Sequence, residues 1–105
     1  MSGISTHILD TANGAPAAGV AVRLYHGHVL LNTQTTNAYG RIPAMLPEEF
    51  QFVPGVYRLA FDVSTYFPQS FFPEVTINFE VKDAAAHYHV PLLLSPFGYT
   101  TYRGS

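Results

Sequence analysis

The sequence predicts an all-β fold, an antiparallel sandwich of about eight short strands with at most one short helix. Three observations carry this. Short runs of alternating apolar and polar residues recur, turn signals separate them, and no helical stripe of any length interrupts them.

Taken in order, Ile4 to Asp10 is a first strand, stopped by Asn13-Gly14 and then Pro16. Val20, Val22 and Leu24 alternate with Ala21, Arg23 and Tyr25, as in a half-buried strand. His26-Gly27-His28 is a tight turn into Val29 to Thr36, which makes a hairpin and leaves both imidazoles solvated. After the Asn37 to Gly40 turn, Arg41 to Leu46 is short and interrupted by proline, the mark of an edge strand. Pro47 to Gly55 is a loop, and Val56 to Ser64 alternates again, with Tyr57, Leu59, Phe61 and Val63 on one face. Thr65 to Phe72 has room for one helical turn before Pro73. Val75, Ile77, Phe79 and Val81 then face one way along the clearest amphipathic strand. His87 to Ser95 and Tyr99 to Arg103, parted by Pro96-Phe97-Gly98, bring the total to about eight strands.

A chain of 105 residues fits one domain, 1-105, and no repeat or linker divides it. Charged residues are only 11% of the chain and aromatic residues 14%, so its surface is poor in solvating charge. That composition suits a protein that hides surface against copies of itself. Five Lys plus Arg against seven Asp plus Glu give a net charge of -2, which excludes the basic footprint of a nucleic-acid binder. With no cysteine there is no disulfide framework and no thiolate chemistry. No stretch reaches the roughly 20 apolar residues of a membrane span, and a soluble, cytoplasmic protein is the expectation.

The chemistry concentrates in His87-Tyr88-His89-Val90-Pro91-Leu92-Leu93-Leu94. Side chains alternate along a strand, so Tyr88, Val90, Leu92 and Leu94 point to the core while His87, His89, Pro91 and Leu93 point away from it. That second face is too apolar for ordinary surface, and reads as the wall of a pocket or subunit interface carrying two imidazoles. The first strand sorts the same way: Ile4, Thr6 and Ile8 face one side, Ser5, His7 and Leu9 the other. Near the end, Thr100 and Tyr102 share a face and Thr101 and Arg103 share the opposite one. His87 and His89, joined by His7, are compatible with metal binding, but no carboxylate or further ligand stands at a recognisable spacing. No metal and no cofactor is expected. Taken alone, Arg41 after Asn37-Ala38-Tyr39-Gly40 is a loop charge.

The ending Ser95-Pro96-Phe97-Gly98-Tyr99-Thr100-Thr101-Tyr102-Arg103-Gly104-Ser105 resembles the C-terminal signature of the 5-hydroxyisourate hydrolases of the transthyretin-like family. Ser5-Thr6-His7-Ile8-Leu9-Asp10 resembles the first strand of that family and His87 to Pro91 its penultimate strand, so the likeness covers nearly the whole chain. The hormone carrier transthyretin is similar too, but lacks the Tyr-Arg-Gly-Ser ending. The resemblance implies a transthyretin-like sandwich of two four-stranded sheets and a homotetramer, a dimer of dimers with its active sites in a channel where dimers meet. It implies catalytic roles for His7, Arg41, His89 and Ser105. Tyr102 would narrow the channel, Thr100 would line it, and Arg103 would bind substrate or anchor the tail.

The implied reaction is hydrolysis of 5-hydroxyisourate to 2-oxo-4-hydroxy-4-carboxy-5-ureidoimidazoline in urate breakdown, with the carrier of a hydrophobic small ligand as the alternative. His7 or His89 would activate water and Arg41 would hold the anionic substrate. Two departures stand out. Tyr39 occupies a position that is usually acidic in the family, which bears on how Arg41 is held. The Ser64 to Phe72 stretch is also shorter than usual, which trims the expected helix to a turn.

Overall fold

The computed structural model describes residues 2–105. Its strands are β1 (Gly3–Asp10), β2 (Ala15–Pro16), β3 (Ala21–His26), β4 (Val29–Thr35), β5 (Arg41–Ile42), β6 (Gly55–Asp62), β7 (Glu74–Val81), β8 (His87–Ser95) and β9 (Gly98–Thr101). One sheet runs β4-β3-β6-β7. The other runs β2-β1-β8-β9, with the two-residue β5 also bonded to β1. Because β8 pairs with β1 along its whole length, β2 and β5 share the opposite edge of β1.

Among the described residues, every strand pair is antiparallel except β1 with β8, which run parallel from Gly3 opposite His87 to Asp10 opposite Leu94. A two-residue hairpin forces reversal, but β8 comes from β7 in the other sheet, through the Asp83–Ala86 turn, and nothing obliges it to oppose β1. The expected sandwich therefore contains one parallel seam, and that seam carries the candidate site. Residues 65–72 form consecutive turns rather than a helix, with Phe67 N–H donating to the Val63 carbonyl at 2.8 Å and Ser70 N–H to the Phe67 carbonyl at 3.0 Å. Pro68 and Pro73 remove the donors a longer helix would need. No helix among the described residues is long and apolar enough to cross a membrane.

The core lies between the sheets. It takes Tyr57, Leu59, Phe61 and Val63 from β6 and the residue that follows it, Val22 and Leu24 from β3, Val75 and Val81 from β7, and Ile4, Ile8, Tyr88, Val90, Leu92 and Leu94 from the parallel seam. Burying each large side chain contributes roughly 1.5–3 kcal/mol, enough to hold the alternation in register. Thr6, fully buried among them, satisfies its hydroxyl by donating to the Val90 carbonyl at 2.6 Å, tying β1 to β8. His26 differs from its sequence reading. The β3–β6 register sets it opposite Tyr57, and the two rings stack at 4.4 Å, so it is half-buried rather than solvated.

Candidate active site

The outer face of the β1–β8 seam gathers most of the polar side chains that alternation turned away from the core. Ser5 is the direct partner of His89 in the parallel ladder, and His87 is the partner of Gly3. With no side chain at Gly3, the His87 ring lies over that residue and leans toward Ser5. The Ser5 hydroxyl is thereby clamped between two imidazoles, 2.7 Å from His87 Nε2 and 2.8 Å from His89 Nδ1.

Arg41 comes to the same face through β5, which places it directly opposite His7 on β1. The turn before it is built by Asn37, whose side-chain oxygen accepts from the Tyr39 and Arg41 backbone N–H groups at 2.9 and 3.0 Å. Gly40 adopts φ 72°, and its N–H and carbonyl bond to the Asn37 carbonyl and the Ile8 N–H. A Cβ at Gly40 would collide with the Ile8 carbonyl oxygen, so only glycine lets this turn lie flat against β1. Tyr39, the departure from the family pattern, is exposed and takes part through its backbone: its carbonyl accepts from His7 Nε2 at 3.0 Å. The Arg41 backbone is thus held by Asn37, whose side-chain oxygen accepts from its N–H and whose own N–H donates to its carbonyl.

These residues border a cleft of about 320 Å³ lined by Ser5, Thr6, Arg41, Pro43, His87, His89 and Ser105. Burial lowers the pKa of His89 below the usual imidazole value, and electrostatic coupling to Arg41 first, then to His7 and His87, pushes it further down. His89 is therefore a neutral ring at neutral pH, able to exchange a proton, beside a guanidinium that stays charged. Among the described residues there is no grouping of His, Cys, Asp and Glu that could hold a metal ion.

The tail continues the register of β9. Gly104 N–H donates to the His89 carbonyl at 2.8 Å, and a Cβ at Gly104 would stand 2.5 Å from His89 Cδ2 and 3.1 Å from Pro91 Cγ. Closeness of this kind requires glycine, and it delivers Ser105 to the cleft. Arg103 is exposed, with its guanidinium 4.5 Å from the Tyr88 ring centre. Thr100 opposes Leu93 and so lies on the outer face with the histidines, where it lines a separate recess with Thr11 and Tyr99. Tyr102, 57% exposed, borders a third opening with Ile77 and Phe79. Within one protomer Arg41, His89 and Ser105 border one cleft with His7 across the ladder from Arg41, Tyr102 and Arg103 border an opening that His89 also lines, and Thr100 lies in its separate recess.

Ser5 and His87, two hydrogen-bonding residues of the cleft, have no role among the catalytic and substrate-binding residues expected from the sequence, although His87 stands there as one of the two imidazoles on the pocket-wall face. Alternation had put each on the correct face. What it could not supply was the register across the seam that makes Ser5 the neighbour of both rings.

Fold and site together define a transthyretin-like β-sandwich whose outer sheet face carries a cleft of imidazole, hydroxyl and guanidinium groups. The chain belongs to the HIUase/Transthyretin family, whose sequence profile matches residues 4–104. It is 46% identical over 110 residues to the 5-hydroxyisourate hydrolase of Salmonella typhimurium, covering 97% of this chain and 80% of that one. The structure of Klebsiella pneumoniae 5-hydroxyisourate hydrolase superposes with a TM-score of 0.89 at 38% identity, over 99% of this chain and 100% of the other. Sea bream transthyretin in complex with thyroxine gives 0.88 at 33% identity, covering 96% and 93% of the two chains.

Proposed function

We propose that the protein is a 5-hydroxyisourate hydrolase, opening the cyclic amide of its substrate to give 2-oxo-4-hydroxy-4-carboxy-5-ureidoimidazoline. The observation that carries this reading is the convergence of His89, Arg41 and Ser105 on one cleft, with His7 directly across the β1–β5 ladder from Arg41.

Water adds to the amide carbonyl, the ring C–N bond breaks, and a proton must leave the water and reach the departing nitrogen. A neutral imidazole can take up and return that proton, and positioned base help is worth about 100-fold to 10,000-fold. His7 and His89 share that work. Arg41 holds the anionic, carbonyl-rich substrate and stabilises the oxyanion through paired N–H donors. Ser105 offers a hydrogen-bonding group on the same cleft.

Association into a homotetramer, a dimer of dimers, completes the reading. The cleft opens on an outer sheet face, and the exposed aromatics Phe97, Tyr99 and Tyr102 cluster on and beside β9. Apolar surface of this kind is characteristic of subunit interfaces. In the tetramer Thr100 and Tyr102 line the channel into which the clefts open.

The test is the decay of 5-hydroxyisourate generated in place from urate, followed spectrophotometrically. The wild-type protein accelerates it, while His89→Asn and Arg41→Ala each lose about 100-fold or more with the fold retained. Wild-type rates in both variants would remove the mechanism. No acceleration by the wild-type protein, together with tight binding of an aromatic ligand, would favour a carrier instead.

A further inference from the structure

Ser5 has a single hydroxyl proton and stands between two ring nitrogens, so when both rings are neutral it donates to one and accepts from the other. The tautomers of His87 and His89 are therefore linked. Which way the pair is set follows from His87 Nδ1, which is buried and, among the described residues, has no hydrogen-bond partner. If that nitrogen carried the proton, a buried N–H would be orphaned. If it is bare, only an acceptor goes unused, and buried orphan donors are the rarer and costlier of the two. The His87 proton then sits on Nε2 and is donated to Ser5 Oγ, and the Ser5 proton is donated to His89 Nδ1. The proton of His89 is left on Nε2, the nitrogen not engaged by Ser5.

We propose that Ser5 and His87 are positioning residues that hold His89 as its Nε2–H tautomer, making it a hydrogen donor toward the substrate and leaving the proton-accepting role to His7. His7 fits that role. A carbonyl can only accept, so His7 Nε2 donates to Tyr39 and its Nδ1 keeps a free lone pair. The two catalytic rings thus differ because their second nitrogens face different partners, a hydroxyl proton for one and a carbonyl oxygen for the other. This division of labour rests on the hydrolase reading, but the tautomer itself does not.

Long-range proton–nitrogen correlation NMR on the intact protein reads the tautomers directly. In the wild type His89 Nδ1 is expected to be pyridine-like and Nε2 pyrrole-like. Ser5→Ala should mix the two tautomers and lower kcat by about tenfold to a hundredfold with KM little changed, a size usual for groups that orient an active side chain. Ser5→Thr, which restores a hydroxyl, should bring back the single tautomer and most of kcat. A protonated His89 Nδ1 in the wild type overturns the proposal, as does Ser5→Ala with kcat and tautomer unchanged. Should Ser5→Ala fail to fold, His87→Gln and His87→Phe make the same comparison. The Gln amide can donate where Nε2–H did and the Phe ring cannot, so equal kcat in the two variants counts against the proposal. A wild-type protein that does not hydrolyse 5-hydroxyisourate but still shows His89 as its Nε2–H form defeats the hydrolase reading and leaves the positioning claim standing.

Discussion

The two faces of the β1–β8 seam are built on the same backbone and answer to different rules. On the inner face Ile4, Ile8, Tyr88, Val90, Leu92 and Leu94 are all nearly or fully buried, and what matters there is volume. On the outer face Ser5, His7, His87 and His89 stand one residue away along the same strands, and what matters is which atom donates to which. The difference teaches that a strand can separate stability from chemistry with a period of two. An inner-face change should move the melting temperature, and an outer-face change should move kcat.

The sharpest test of that separation is Leu92→Ala. Leu92 is fully buried between the sheets, and its truncation should destabilise the protein by about 2–5 kcal/mol, read by denaturant unfolding. At a temperature where the variant stays folded, kcat should remain near the wild-type value. A comparable fall in kcat would break the comparison.

Gly104→Ala is the converse. The added methyl meets His89 and Pro91, so it should displace the His89 ring and lower kcat/KM by up to about a hundredfold in the ring-opening assay, with a small change in unfolding midpoint.

Thr6 tests the exception, a polar residue on the inner face. Thr6→Val keeps the shape and removes the hydroxyl that bonds Val90, and should cost about 1 kcal/mol by thermal or denaturant unfolding.

The smallest effect is the pH dependence of stability. The folded protein holds His89 below its ordinary pKa, chiefly by burial and then by Arg41, His7 and His87. As pH falls below about 6.5 the unfolded chain binds the proton first, so stability is complete above that value and declines as pH drops toward the folded pKa. His89→Asn, whose amide can still reach Ser5, should show a shallower decline in melting temperature between neutral pH and pH 5.

Much of this was legible in the sequence because alternation is a local property. The burial pattern of β6 and the facing of His87 and His89 required only that side chains alternate along a strand. The candidate site residues His7, Arg41, His89 and Ser105 came from a resemblance in short motifs, and the fold sets Arg41, His89 and Ser105 around one cleft with His7 across the ladder from Arg41. The fate of residues 65–72 and the parallel sense of the seam were harder to read. The first depends on which backbone donors remain between Pro68 and Pro73. The second depends on which sheet the preceding strand occupies, and neither is visible in a pattern of apolar residues.

By itself, the sequence determined which side of each strand every residue occupies, since that follows from backbone geometry alone. Only the tertiary structure decided which of those side chains meet. Ser5 and His89 are separated by 84 positions and become hydrogen-bonded neighbours through one choice of register. A slip of one residue would have kept the two strands paired and sent the serine to the other face, and the packing of the inner face rules that slip out.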